Sequence, residues 1–144
     1  MRPFILLLTS AVVASCAYGM TDTRFSPARN PSGIQTHVIT ASSELRGELI
    51  ELQDSGMVIL SFISPNGESA GSETRVLRLV PYSSIRHARF NQLKSPVVIQ
   101  NGRAPTGDVR ERLRLVSRFP YGMSPEVLAA LLKALGQTAL AGVN

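Results

Sequence analysis

The sequence predicts a mainly β domain: a small antiparallel barrel or curved sheet of five to seven strands with a C-terminal helix. Three observations point there. From Thr36 onward the chain runs in short β-branched or apolar segments of four to eight residues, each closed by Gly, Pro, Asn, Asp or Ser. The last segment carries apolar residues at helical spacing behind a good N-cap. A length of 144 residues suits a single domain, given typical domains of about 100–150 residues.

Each element has its own local reason. His37-Val38-Ile39-Thr40 is brief and β-branched, and Leu45 to Leu52 follows it. Gln53-Asp54-Ser55-Gly56 is a turn with Asp early and Gly late. Met57 to Ser64 is the most apolar run after the N-terminal segment and predicts a central strand. The stretch 64–72 is rich in Pro, Asn, Gly and Ser and predicts an open loop. Thr74 to Val80 is the next strand, and Pro81-Tyr82-Ser83-Ser84 ends it in a tight turn. Ile85 to Phe90 restarts extended structure with Ala88 and Phe90 on one face. Val97-Val98-Ile99-Gln100 makes a sixth strand, closed by Asn101-Gly102, a hairpin or turn pair.

Arg110 to Phe119 fits either a strand or a helix. Leu113 and Leu115 alternate with Arg112 and Arg114, which favours the strand. The final helix is predicted over residues 124–136. Ser124 serves as N-cap, Pro125 stands at the first helical position and Glu126 at the positive end of the dipole. Val127, Leu128, Leu131, Leu132 and Leu135 form its apolar stripe, and Gly136 stops it. Such a stripe is expected to pack against the sheet as a lid.

The N-terminal 35 residues differ in kind. Arg2 precedes an apolar run from Phe4 to Ala14, too short for the about 20 residues a spanning helix needs, but of signal-peptide length. The run ends in Val13-Ala14-Ser15-Cys16, and Cys16 is the chain's single cysteine. This tetrad resembles a bacterial lipobox, in which the cysteine is diacylated and becomes the mature N-terminus. The resemblance implies a signal peptide over 1–15, Cys16 as the lipidation site, and attachment to a membrane through acyl chains. Two or more chains hold firmly, since each buried CH₂ contributes about 0.8 kcal/mol. In envelopes that sort lipoproteins by the residue after the cysteine, Asp resembles a retention signal. Ala17 therefore points to the outer membrane, facing the periplasm. The alternative is an ordinary cleaved signal and a soluble periplasmic or secreted product. Residues 16–35, with two Pro, two Gly and several Ser, Thr and Asn, are expected to be a flexible tether averaging roughly 25 Å end to end.

Between His37 and Phe90 the chain resembles the small Sm-like or SH3-like barrels. The residues carrying the likeness are Gly47-Glu48-Leu49, then Asp54-Ser55-Gly56-Met57-Val58-Ile59-Leu60, then Arg75 to Ile85. The resemblance implies the barrel fold with a brief turn between the fourth and fifth strands. Three departures separate it from the RNA-binding members. One extra residue stands between Leu49 and Asp54, Val58 replaces the usual Asn, and Ile85-Arg86-His87 has no Arg-Gly pair. The fold carries over and the nucleic-acid binding does not. A terminal helix after a run of strands is also the ending of a PH-like barrel, which is the alternative fold.

The search for chemistry returns little. No Gly-x-Ser-x-Gly, His-Glu-x-x-His or phosphate-cradling Gly-x-x-x-x-Gly-Lys motif occurs. His37 and His87 lack neighbouring ligands at metal spacing, so no metal and no cofactor are expected. Ser83, Ser84 and His87 lie close in sequence, but a turn-capping role for the serines is the simpler reading. Glu48 and Glu51, three apart in a strand, are expected on opposite faces.

Charge is distributed unevenly. Residues 1–72 hold 4 basic and 6 acidic groups, whereas residues 73–118 hold 10 basic and 3 acidic, net +7. If Arg110 to Arg118 is a strand, Arg110, Arg112, Arg114 and Arg118 line one face, a row of guanidiniums suited to phosphate or carboxylate. The plainer reading is a solvated polar face with Arg favoured by codon usage. The sequence thus predicts a lipid-anchored envelope protein, non-enzymatic, serving as a structural or interaction module with an envelope protein partner. The alternative is a lipoprotein that binds an anionic lipid or glycan through the Arg-rich face. No nucleic-acid partner is expected, because no aromatic row accompanies the basic residues.

Overall fold

A computed structural model describes residues 32–63, 74–91, 93 and 97–143. The expected signal peptide over 1–15, Cys16 with the tetrad it closes, the first part of the expected tether, and the expected loop at 64–72 lie outside the described residues.

Six strands form one antiparallel sheet: β1 (Gln35–Thr40), β2 (Glu44–Leu52), β3 (Gly56–Ile63), β4 (Thr74–Pro81), β5 (Ile85–Phe90) and β6 (Val97–Gln100). Their order is β4-β3-β2-β1-β5-β6. The six strands read between His37 and Gln100 are present within two residues of their expected bounds, whereas the strand favoured over Arg110 to Phe119 is not formed. Two helices follow, α1 (Gly107–Val116) and α2 (Pro125–Ala134). The mainly β fold class with a C-terminal helix stands, and α1 is an addition to it.

The sheet curves because two bulges interrupt its ladders. One lies where β1 meets β5, beside Ile39 and Thr40. The other lies where β2 meets β3, between Leu49 and Glu51. There Leu49 pairs with Ile59 and Glu51 with Val58, so Ile50 is the extra residue. This bulge sits within the stretch between Leu49 and Asp54. It corrects the expectation for two acids: Glu48 opposite Leu60 and Glu51 opposite Val58 share one face.

Alternation along β3 divides the core in two. Met57 and Ile59 face the inner side with Val38, Leu49, Val80, Ile85, Ala88, Phe90, Val97 and Ile99. Val58 and Leu60 face the outer side with Ile50 and Leu77. Each side is closed by a helix. From α1, Leu113 is fully buried in the inner cluster and Val116 packs beside it. From α2, Leu132 is buried against the outer cluster with Leu128, Leu131 and Leu135 around it. The C-terminal helix is thus the lid its stripe predicts, except that Val127 stays exposed. Ser124 caps its N-terminus by accepting from the Val127 amide at 3.4 Å, and Gly136 follows it at φ +69°.

Gly47 shows why that Gly-x-Leu position is glycine: a Cβ there would overlap the Leu60 carbonyl oxygen of β3. Asn101 (φ +57°) and Gly102 (φ +70°) form the turn their dipeptide predicts, but the chain leaves it toward α1, not into another strand.

The outer edge of β4 is covered by the chain's own C-terminal segment. Gln137 receives the Leu77 amide on its side-chain oxygen at 2.7 Å and donates back to the Leu77 carbonyl at 3.1 Å. Ala141 then pairs in parallel, accepting from the Leu79 amide at 3.0 Å. From Leu77 to Leu79 the edge is thereby closed to another strand.

Tyr82, in the one-turn 3-10 helix Tyr82–Ser84 between β4 and β5, ties two turns together. Its amide donates to the Ser55 carbonyl at 3.1 Å and its hydroxyl to the Gln53 carbonyl at 3.2 Å. Burial pushes the phenol above its ordinary value, with Arg110 opposing and Asp54 adding to the rise. A phenol harder to ionise in the folded chain than in the unfolded one stabilises the fold below about pH 10, and that contribution is lost as pH rises further. Tyr82→Phe is therefore expected to flatten the loss of stability above about pH 10 seen in denaturant titrations of the wild type. Identical alkaline slopes for the two proteins would refute the argument.

Candidate functional site

The basic segment 110–118 is a helix followed by an extended exit, which corrects the strand reading. Leu113 and Val116, three apart, turn toward the inner core, whereas Leu115 is 44% exposed. A strand would have turned Leu113 and Leu115 the same way. Thr106 precedes the helix in an extended conformation, Asp108 stands in its first turn and Arg114 in its last, as the dipole favours. These features, with Pro105 just upstream, are the sequence signs of a helix start that the Leu-x-Leu alternation outweighed.

On a helix the four arginines do not form a row. Arg110 and Arg114 lie one turn apart, Arg112 lies on another side, and Arg118 is beyond the end. Arg110 binds Asp54 of the β2–β3 turn at 2.7 Å. Arg114 grips Glu111 with two nitrogens at 2.6 and 2.9 Å, donates to the Pro120 carbonyl, and stacks over the Tyr121 ring at 5.2 Å. The Arg114 hydrogen bond holds the Glu111 carboxyl below the usual carboxylate range. Arg112 is exposed. The four-residue anion-binding face read from the sequence is therefore not assembled: three of its members are each joined to a carboxylate within the fold.

Arg118 makes the deepest of these contacts. Its Nε donates to Glu48 Oε1 at 2.8 Å and its Nη2 to Oε2 at 3.1 Å, a two-pronged pair. Glu48 Oε1 also accepts from the Gly33 amide at 2.5 Å. Around this pair the backbone is stitched. Ile34 donates to Val116 at 2.9 Å, Leu49 to Ile34 at 2.8 Å, Arg118 to Leu49 at 3.1 Å and Phe119 to Ile50 at 2.9 Å. The acceptors of these last two bonds are the carbonyls of consecutive β2 residues at the bulge, Leu49 and Ile50. Glu51, on the same face, accepts from the Met123 amide at 3.0 Å. Residues 33–35 consequently belong to the domain and not to the tether expected over 16–35, because Ile34 is buried and Gln35 begins β1.

Sequence reasoning missed Glu48, since its burial depends on a partner seventy residues away. The only local sign was an acid inside an apolar strand.

Both histidines lie on the outer face of the sheet. His37 pairs across β1–β5 with Arg89, and His87 with Ile39. His37 Nε2 sits 2.7 Å from Glu44 Oε1, and Arg46 reaches the same oxygen at 3.1 Å. Arg46 first, and His37 after it, hold the Glu44 carboxyl below its ordinary range. Among the described residues no three His, Cys, Asp or Glu side chains gather as a metal would require. Ser84 donates to the Pro81 carbonyl at 2.8 Å, the turn-capping role its sequence context favours. Every buried side-chain nitrogen or oxygen among the described residues has a hydrogen-bond partner.

No family model, curated protein or solved structure matches this chain.

Proposed function

We propose that the protein is a lipid-anchored component of the bacterial cell envelope, whose folded domain is a non-enzymatic structural or interaction module held at the outer membrane and facing the periplasm. The observation that carries this reading is the position of the chain's single cysteine. Cys16 closes Val13-Ala14-Ser15-Cys16 directly after an eleven-residue apolar run, where acylation chemistry requires a thiol.

The geometry of the domain is compatible with such a role. Two ion pairs join separate parts of the fold, Glu48 with Arg118 and Asp54 with Arg110, and Glu111 pairs with Arg114 within α1. Groups committed in this way brace the fold. The β4 edge is guarded by the C-terminal segment, which suits a protein kept at high local concentration on a membrane.

Metabolic labelling with a palmitate analogue is expected to tag the wild type in the bacterial envelope fraction and not Cys16→Ser. Equal labelling of the two proteins, or none of the wild type, would sink the proposal.

A further inference from the structure

We infer that Leu115 and Tyr121, at the C-terminal end of α1, form the surface on which the domain rests against the phospholipid bilayer that holds its anchor. This rests on the lipid-anchored reading and adds to it the side of the domain that meets the membrane.

Three observations converge. The first is exposure: Tyr121 is 88% exposed, the most open of the large hydrophobic side chains among the described residues, and Leu115 is 44% exposed. At a headgroup layer the tyrosine's ring and hydroxyl are both accommodated and the leucine is withdrawn from water.

The second is that the tip is held, not loose. Arg114 lies over the Tyr121 ring at 5.2 Å and donates to the Pro120 carbonyl, and Gly122 (φ +86°) turns the chain away immediately after. The turn bearing Tyr121 is thereby fastened to the helical turn bearing Leu115. Little conformational freedom remains to be lost on binding.

The third is where the chain enters the domain. The Ile34 amide donates to the Val116 carbonyl, and the Gly33 amide to the Glu48 carboxylate that also binds Arg118. The polypeptide leading back to Cys16 therefore joins the fold at this same end of α1. An acyl anchor on that polypeptide draws this end toward the bilayer. Arg112, exposed and one helical turn before Leu115, adds a positive charge suited to anionic headgroups, with Glu111 as the opposing charge.

The chain contains no Trp, so a single introduced indole reports on its own surroundings. The test uses the full chain as the cell processes it, reconstituted into vesicles of phosphatidylethanolamine and phosphatidylglycerol with brominated acyl chains. Tyr121→Trp is expected to give blue-shifted emission that the bromines quench. Val98→Trp, on the outer face of the sheet away from α1, is expected to give neither. Leu115→Ser in the Tyr121→Trp background should abolish most of the quenching while leaving the circular dichroism unchanged. Quenching of Tyr121→Trp no greater than that of Val98→Trp would overturn the inference. Palmitate labelling separates the two readings. A labelled Tyr121→Trp chain whose emission stays unquenched removes the docking surface and leaves the anchor. An unlabelled one whose emission is quenched removes the anchor and leaves the surface.

Discussion

Arg118→Ala is expected to lower the unfolding free energy by about 3 kcal/mol, the low end of the about 3–5 kcal/mol seen when one partner of a buried ion pair is removed. The reason lies in what remains. The Glu48 side chain is 7% exposed and that of Arg118 23%, so water does little to replace the lost guanidinium. The carboxylate would keep one hydrogen bond, from the Gly33 amide, for two oxygens. The low end applies because Arg118 retains some contact with solvent. Against a typical stability of about 5–15 kcal/mol for a whole domain, this is a large fraction.

The effect reaches beyond one contact. Arg118 and Glu48 sit where the entering segment, the β2 bulge and the exit from α1 meet. A denaturant midpoint that falls with an unchanged slope would mark a simple loss of stability. The partner variants sharpen the test. Glu48→Gln keeps an acceptor for Gly33 and leaves a partly exposed guanidinium, so its loss should be smaller than that of Arg118→Ala. Glu48→Leu with Arg118→Met removes both charges and should recover much of the stability, since well-packed apolar replacements of buried pairs are often neutral. A loss of less than about 1 kcal/mol for Arg118→Ala would show that the pair behaves as an exposed one.

Leu113→Ala is expected to lower stability by about 2–5 kcal/mol, the range for truncating a fully buried leucine. Leu113 is the only fully buried residue of α1 and closes the inner cluster formed by strands β1 to β6. The void left behind adds to the lost transfer energy, because sheet residues on one side and helix backbone on the other prevent collapse. Leu115→Ala, two residues on, is expected to change stability by no more than about 0.5 kcal/mol. The pair of measurements distinguishes helix from strand directly. In a strand the two leucines would share a face and their truncations would have similar effects. Equal losses at 113 and 115 would therefore contradict the helix.

All six strands are legible in the sequence, because each rests on a local pattern: a short apolar or β-branched run with breakers at its ends. His37-Val38-Ile39-Thr40 and Val97-Val98-Ile99-Gln100 need no information from elsewhere. The same holds for α2, where Ser124, Pro125 and the leucine stripe each speak for a helix. The segment 107–116 is ambiguous because Leu113 with Leu115 satisfies a period of two, while Leu113 with Val116 satisfies one near 3.6. Only the need to cover the inner face of a curved sheet chooses between them. The candidate site is less legible for the same reason. The arginines are plain in the sequence, but the carboxylates that engage them, Asp54, Glu111 and Glu48, are three to seventy residues distant.

By itself, then, the sequence determined the local conformations: where strands start and stop, where the last helix is capped, and where a lone cysteine follows an apolar run. Those depend on neighbours a few residues away, and neighbours are what a sequence displays. The tertiary structure alone decided that Ile50 is extruded as a bulge, that Glu48 and Glu51 consequently share a face, and that Arg118 is committed to Glu48. Each of these depends on which backbone lies alongside, and on a charge that becomes tolerable in the interior only when its partner arrives from a distant part of the chain.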